Sequence, residues 1–206
     1  GDVYKRQNTR RIHFIANQNM TDFQEDEFRN KSEADVIALL EGSSGMMIYW
    51  ARFACDANNE ESIDQQLAKN PNIIMIRNQA KITIDNPTGN GYLVVTGFTA
   101  YNTNAFGTVA PYHPTKGWVW SSNADVEPFV TLPANDAKLS DIQDVQDISQ
   151  NPELYVFECE NSSEDPVSVI IRGHLPGESE ELYYRVMLIK ENGEQELIRS
   201  CLLYTS

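Results

Sequence analysis

Basic residues are scarce in this chain, which has 16 lysines and arginines against 30 aspartates and glutamates and a net charge of -14 at pH 7. Binding to a nucleic-acid backbone requires clustered Lys and Arg side chains, and the pair Arg10-Arg11 is too small to form such a surface. Long apolar runs are also lacking, because no stretch approaches the ~20 residues of a membrane-spanning helix. The sequence therefore excludes a nucleic-acid partner and predicts no membrane span.

Cysteine is rare, with three residues in the whole chain, of which Cys201 lies in the last segment. Cys55 and Cys159 are far apart, and no CxxC spacing is present. Neither a zinc knuckle nor a disulfide framework is therefore indicated. Two interpretations of this pair remain, either two small buried side chains or one long-range disulfide.

Recognisable catalytic motifs are lacking as well. His13 lies within an apolar run, whereas His113 and His174 lie in turn-like stretches next to proline, and no HxH, HExxH or GxSxG spacing occurs. The acidic runs at 25–27 and 178–181 do not have the residue order of a calcium loop. The sequence predicts no catalytic residue, no metal ligand and no cofactor, so we expect a protein that is not an enzyme.

Both ends of the chain resemble translated sequencing-library DNA rather than natural protein. Back-translation of Asp2 to Gln7 and of Cys201 to Ser206 yields near reverse complements that match the transposase mosaic end used to tag DNA fragments. Segments 1–7 and 201–206 are therefore predicted to be adapter artefacts, which are left out of fold reasoning. The native segment then runs from Asn8 to Ser200, and the absence of an export signal here carries no information.

Apolar residues recur mainly with a period of two, or in short β-branched runs bounded by turn residues, which is typical of strands. An Asn-Gly pair at 192–193 predicts a hairpin turn, and 136–150 reads as a surface loop with one helical turn. Regularly spaced strands with turn signals predict an antiparallel β-sandwich. The predicted strands are 12–16, 46–53, 73–76, 80–84, 92–102, 155–159, 167–171 and 183–189. The predicted core residues are Phe14, Ile48, Trp50, Ile82, Ile84, Phe98, Val156, Phe157, Ile170, Tyr184 and Val186.

Two short helices are predicted in the N-terminal part. Ser32 can cap the first, Asp35 three residues later completes a capping box, and Gly42 is expected to stop the helix. Ser62 and Gln65 begin the second, which ends at the following Asn-Pro pair.

Several of these segments, in their order and spacing, resemble the fimbrillins of the Bacteroidales, which are the type V pilins with their tip and anchor relatives. Each segment alone is only a strand with favoured residues, but together they span nearly the whole native segment. The matching segments are 12–17, 49–52, 75–84, 97–102, 107–111, 155–158 and 183–186.

This resemblance implies a mainly-β protein of two tandem transthyretin-like β-sandwich domains, with a few short helices in the N-terminal part. We place a truncated first domain at 8–70 and the second at 71–200. The resemblance also implies a secreted, usually lipidated surface protein of the outer membrane or the extracellular fimbrium, bound to the membrane only through a lipid anchor outside this fragment. Its partners would be other fimbrial subunits, joined by donor-strand exchange, in which a strand from one subunit fills an open groove in the next.

A non-polymerising surface adhesin that binds glycans is the alternative function. Trp118 and Trp120 would lie on one face of a strand, and with Tyr112 nearby they can form a platform for stacking sugar rings. The other interpretation is that one or both tryptophans pack over an open end of the sandwich. The sequence does not distinguish a stalk, tip or anchor role.

Overall fold

The computed structural model describes residues 11–18, 24–43, 47–55, 61–69, 71–85, 92–110, 144–159, 161, 164–189, 192–195, 198 and 203–204. These residues form mainly β-structure in largely antiparallel sheets, with short helices towards the N-terminal end, which confirms the predicted class. No helix in these ranges is long and apolar enough to cross a membrane. In chain order the elements are β1 (Arg11–Ala16), α1 (Glu25–Phe28), α2 (Glu33–Leu39), β2 (Glu41–Ser43), β3 (Tyr49–Ala54), α3 (Ile63–Lys69), β4 (Ile76–Arg77), β5 (Gln79–Ile82), β6 (Val94–Tyr101), β7 (Phe106–Thr108), β8 (Gln146–Asp147), a 3-10 turn (Ile148–Gln150), β9 (Leu154–Phe157), β10 (Ser168–His174), β11 (Leu182–Met187) and β12 (Leu203–Tyr204).

The first sheet has the antiparallel strand order β1-β3-β4. Alternate residues of a strand point to opposite faces, and apolar side chains pack on both faces of this sheet. Ile12 and Phe14 pack with Phe53 and helix α3 on one face, whereas Ile15 packs with Trp50 and helix α2 on the other. One helix therefore covers each face of this sheet.

Side-chain caps fix where the two predicted helices begin. Ser32 Oγ accepts a hydrogen bond from the Asp35 backbone N at 3.1 Å, and the Asp35 carboxylate accepts one from the Ser32 backbone N at 3.4 Å. The Ser62 backbone N donates to Gln65 Oε1 at 2.9 Å, and the Gln65 backbone N donates to Ser62 Oγ at 3.4 Å. Both helix starts are confirmed. The prediction that Gly42 stops the first helix is wrong, because α2 ends earlier and Gly42 lies in strand β2.

Two further sheets share the largest core. One is antiparallel with the order β11-β10-β6-β8, and the other has the order β12-β5-β9, in which β12 runs parallel to β5. Burial of apolar side chains of this size is worth about 1.5 to 3 kcal/mol each, so this cluster is the main source of stability in the described residues. Its buried members are Ala80, Ile82, Phe98, Ala100, Leu154, Val156, Cys159, Val167, Val169 and Ile198.

The two cysteines lie in different clusters. Cys55 is buried in the cluster beneath α3 and Cys159 in the large core. Of the two interpretations of this pair, the structure favours two small buried side chains.

Asn78 is the point at which the chain crosses from the first sheet, through β4, to the second, through β5. Its side chain accepts a hydrogen bond from the Ile48 backbone N at 3.2 Å and donates one to the Thr108 backbone O at 3.2 Å. Strands β2 and β7 pair beside it, with Gly42 directly opposite Gly107. This junction ties the first sheet to the rest of the molecule.

Because Gly107 has no Cβ atom, strand β7 can approach the Phe157 ring more closely than any other residue type would permit. A Cβ atom at this position would lie 2.3 Å from Phe157 Cδ1 and 2.6 Å from Phe157 Cγ. The β2–β7 pair therefore lies directly against the Phe157 ring, which is buried.

Most of the predicted core residues are buried. Ile48, Trp50, Ile82, Phe98, Val156 and Phe157 are confirmed, while Phe14, Ile84, Ile170 and Val186 are partly buried. The prediction for Tyr184 is wrong, because this residue is 38% exposed on β11, which lies at the end of the strand order of its sheet.

Two smaller predictions concern the connecting segments. Of the predicted surface loop 136–150, residues 144–150 are described, and they contain β8 and the one turn of 3-10 helix. The hairpin turn at 192–193 is confirmed, because Gly193 has a φ of 83° and Ile189 forms an antiparallel bridge with Gln195. Positive φ of this kind favours glycine.

Candidate functional site

One group of charged and polar side chains converges beneath the start of helix α2, and we call it the Glu33 cluster. It consists of Arg11, His13, Glu33, Trp50 and Arg52. Strand pairing places His13 opposite Arg52, and the capped start of α2 places Glu33 over both of them. The Arg52 side chain is only 1% exposed and that of Glu33 13% exposed, so the charges meet largely out of water.

The two carboxylate oxygens of Glu33 accept hydrogen bonds from three side chains. Oε1 accepts from Arg52 Nε at 2.6 Å and from His13 Nε2 at 2.7 Å. Oε2 accepts from Arg11 Nη1 at 2.7 Å and from Arg52 Nη2 at 3.3 Å. Burial acts to raise the pKa of Glu33, but the hydrogen bonds from His13 and Arg52 and the Arg52 charge outweigh it and lower this pKa from 4.5 to about 2.

The hydrogen bond from Trp50 fixes the tautomer of His13. An indole N–H can only donate, and Trp50 Nε1 lies 3.1 Å from His13 Nδ1. Nδ1 is therefore the acceptor, and the Nε2–H of the neutral ring donates to Glu33. Both ring nitrogens are thus used within the protein, which leaves His13 no lone pair for a general base. His13 is therefore a hydrogen-bonded residue of strand β1.

The Glu33 cluster is accordingly a clamp that holds helix α2 on the first sheet. A buried cation such as Arg52 needs a partner, and Glu33 supplies one with two hydrogen bonds. The described ranges contain no group of three or more His, Cys, Asp or Glu side chains that could hold a metal ion.

The residues predicted to form a glycan platform, Tyr112, Trp118 and Trp120, lie outside the described residues, as does His113. His174 is described, and its Nδ1 lies 3.0 Å from the backbone O of Leu175.

No family model, no curated protein and no solved structure matches the chain. The fold and its surfaces are therefore the basis for the proposed function.

The second candidate site is the edge of strand β5. On one side β5 pairs with all four residues of β9, from Gln79 opposite Phe157 to Ile82 opposite Leu154. On its other side, among the described residues, only the two residues of β12 pair with it, at Lys81 and Ile82. This edge lies directly over the large core, because Ala80 and Ile82 are buried members of that cluster.

The polar face of the same sheet carries an ordered set of charges. Lys81 forms an ion pair with Glu153, which also accepts a hydrogen bond from the Tyr155 hydroxyl at 2.6 Å. The Arg77 guanidinium lies 5.7 Å from the centre of the Tyr155 ring. The hydrogen bonds from Lys81 and Tyr155 lower the pKa of Glu153. These contacts fix the solvent face of β5 and β9, and Arg77 Nε also donates a hydrogen bond to the Gln79 backbone O at 3.0 Å.

Sequence reasoning missed both candidate sites. The available signal for a buried ion pair was Arg52, a charged residue in an otherwise apolar strand. Glu33, its partner, directly follows the capping serine of α2 and carries no such signal. For the β5 edge, sequence pattern predicts the strand but not which neighbour it has on each side.

Proposed function

We propose that this chain is part of a structural or adhesive subunit of a type V fimbria, and that neighbouring subunits bind one another through a donated β-strand. The observation that carries the proposal is the short parallel pairing of β12 with β5 at Lys81 and Ile82, beside the large core, which a donated strand would replace. The resemblance of the sequence to fimbrillins supports the same function.

The chemistry of this edge suits a donated strand. Backbone N–H and C=O groups at an open edge are a template for another strand, and a strand added there gains main-chain hydrogen bonds while its alternate side chains cover the core. Here such a strand would replace β12 along Lys81 and Ile82.

The same proposal includes the two tandem transthyretin-like domains, for which the two sheets around the large core give support. The protein would be exported and located at the outer membrane or in the extracellular fimbrium, with a lipid anchor outside this chain. The proposed role is not enzymatic, and the histidine and carboxylate of the Glu33 cluster bond to each other and to Arg52 and Trp50.

Long-read sequencing of the source DNA across both ends of the reading frame is the first test. We expect different codons in place of those for residues 1–7 and 201–206, and, in the recovered gene, an export signal with a lipidation cysteine and a long C-terminal β-strand. Reads that reproduce both ends followed by a stop codon would contradict the fragment prediction and remove the fimbrial argument.

The strand itself gives the biochemical test. A peptide with the sequence of the recovered C-terminal strand is added to the 206-residue chain, and amide hydrogen exchange of residues 79–82 is measured. Slower exchange is expected at those residues whose N–H groups point away from β9, while the amides bonded to β9 stay unchanged, and a scrambled peptide of the same composition serves as the control. Unchanged exchange with both peptides would rule out this edge as the acceptor.

A further inference from the structure

The hairpin turn at Asn192 and Gly193 joins two residues whose order has a chemical consequence. In an Asn-Gly pair the backbone N of the glycine can reach the side-chain carbonyl carbon of the asparagine, because glycine has no side chain to obstruct the approach. The sequence contains this pair twice, at 90–91 and at 192–193. The structure describes the second pair, and Asn192 and Gly193 are both exposed.

The surroundings of Gly193 leave room for such a reaction. A Cβ atom built at this position would meet no atom within 4 Å. No other described residue therefore crowds the turn on that side, and solvent reaches the two groups that would react.

A backbone N–H is already placed where negative charge would develop. The Glu194 backbone N donates a hydrogen bond to Asn192 Oδ1 at 3.1 Å. Attack on Asn192 Cγ turns this oxygen into an oxyanion, and a donor fixed about 3 Å from an oxyanion stabilises it. The same hydrogen bond holds the Asn192 amide against the backbone of its own turn. The turn therefore both exposes the amide and prepares it for attack.

We propose that Asn192 is a site of spontaneous covalent modification, at which the side-chain amide is lost. The Gly193 backbone N forms a bond to Asn192 Cγ and closes a succinimide ring, while the bond from Cγ to Nδ2 breaks. The proton of the Gly193 N–H leaves with the Nδ2 amino group as ammonia. Water then opens the ring at either of its carbonyl carbons and gives aspartate or isoaspartate. This site is separate from the β5 edge and does not rest on the fimbrial proposal.

The two products differ in their effect on the hairpin. Aspartate keeps a side-chain oxygen that can accept the hydrogen bond from the Glu194 backbone N. Isoaspartate takes the former side-chain carbonyl into the main chain, which becomes longer and loses that side-chain acceptor. Either product adds one negative charge to a chain whose net charge is -14.

The modified turn lies between two anchored parts of the chain. Ile189 and Gln195 form an antiparallel bridge on either side of it. Farther along, Ile198 is buried in the large core, and its backbone N and O each form a hydrogen bond of 3.1 Å with Cys159. A longer main chain at residue 192 therefore disturbs the segment that carries Ile198 into the core. The isoaspartate form is expected to show faster amide hydrogen exchange at Ile198 than the unmodified chain.

Peptide mapping of the full 206-residue chain after incubation at mildly alkaline pH tests the proposal. Digestion is carried out in acid, so that little conversion occurs during work-up, and a synthetic peptide with the sequence of residues 189–195 is incubated alongside. We expect the Asn192 peptide first to lose ammonia and then to gain water, with isoaspartate and aspartate both formed. The rate in the folded chain should be at least that in the synthetic peptide, because the Glu194 N–H is fixed beside the oxyanion only in the formed turn.

Two controls locate the reaction. Asn192→Gln should leave its peptide unchanged, since glutamine would have to close a larger ring. Asn102 in the parent chain should also stay intact, because the β-branched Thr103 follows it and its amide donates a hydrogen bond to the Asp165 backbone O.

Two other results would overturn the proposal. If Asn192 stays intact in the folded chain, or converts more slowly there than in the synthetic peptide, the fold protects this turn. Conversion to aspartate alone, with neither succinimide nor isoaspartate, would show direct hydrolysis of the amide in place of ring closure.

Discussion

Replacement of Glu33 by glutamine removes the charge that holds helix α2 on the first sheet. The pKa of Glu33 falls from 4.5 to about 2, a shift of roughly 2.5 units. Each unit corresponds to 1.36 kcal/mol of preference for the charged form, so the cluster stabilises the folded state by about 3 kcal/mol at neutral pH. The Glu33 side chain is only 13% exposed, so solvent screening reduces this value little. Glu33→Gln is expected to lower the free energy of unfolding by about this amount, because Arg52 then lacks its counter-charge.

The contribution of Glu33 to the free energy of unfolding depends on pH with a definite sign. Glu33 has a lower pKa in the folded than in the unfolded state, so its contribution is complete above pH 4.5 and is lost as the pH falls towards about 2. Urea unfolding followed by far-UV circular dichroism, repeated as the pH is lowered, measures this contribution. The difference between the parent chain and Glu33→Gln should shrink through that range.

Glu61→Gln is the control for this experiment. Glu61 pairs with Lys69, whose side chain is 64% exposed, and exposed ion pairs contribute less than about 1 kcal/mol. The opposite outcome is that Glu33→Gln lowers the free energy of unfolding no more than Glu61→Gln does and does not change its dependence on pH. That result would show that the Glu33 cluster is solvated in solution and would contradict the prediction.

Three further predictions concern the packed interior. Gly107→Ala should destabilise the fold by about 1 to 3 kcal/mol in urea unfolding, because the new methyl group strikes the Phe157 ring, and a cost that does not fall in a Phe157→Leu background would contradict this cause. Asn78→Ala should cost about 2 to 4 kcal/mol, since it leaves two buried backbone groups without their hydrogen bonds; a loss below about 1 kcal/mol would show that water replaces the amide. Cys55 and Cys159 are both buried, so peptide mapping should find a thiol reagent on neither until the chain unfolds, and a peptide that joins the two cysteines in an unreduced digest would contradict this.

Local signals made the helices and most strands predictable. Ser32 with Asp35, and Ser62 with Gln65, are capping pairs whose chemistry depends only on residues three apart, and both form as expected. The short run of β-branched and aromatic residues in β1 likewise predicts a strand. In the structure its apolar residues pack against α3 on one face of the sheet and against α2 on the other.

Long-range features were not predictable in the same way. Gly42 reads as a helix stop in the sequence, yet it pairs with Gly107 across β2 and β7, a contact set by a distant segment. Tyr184 has the pattern of a core residue, but it lies on a strand at the end of the sheet order, so its side chain is exposed. The Glu33 cluster joins three elements that only the folded chain brings together.

The single-residue crossover at Asn78 has a mechanical consequence. A strand of the first sheet ends at Arg77 and a strand of the second begins at Gln79, so there is no slack chain between them to absorb an extension. Tension applied to one sheet passes at once to the other, through the backbone and through the two side-chain hydrogen bonds of Asn78. Pulled from its ends, the protein should behave as one mechanical unit and yield in one step.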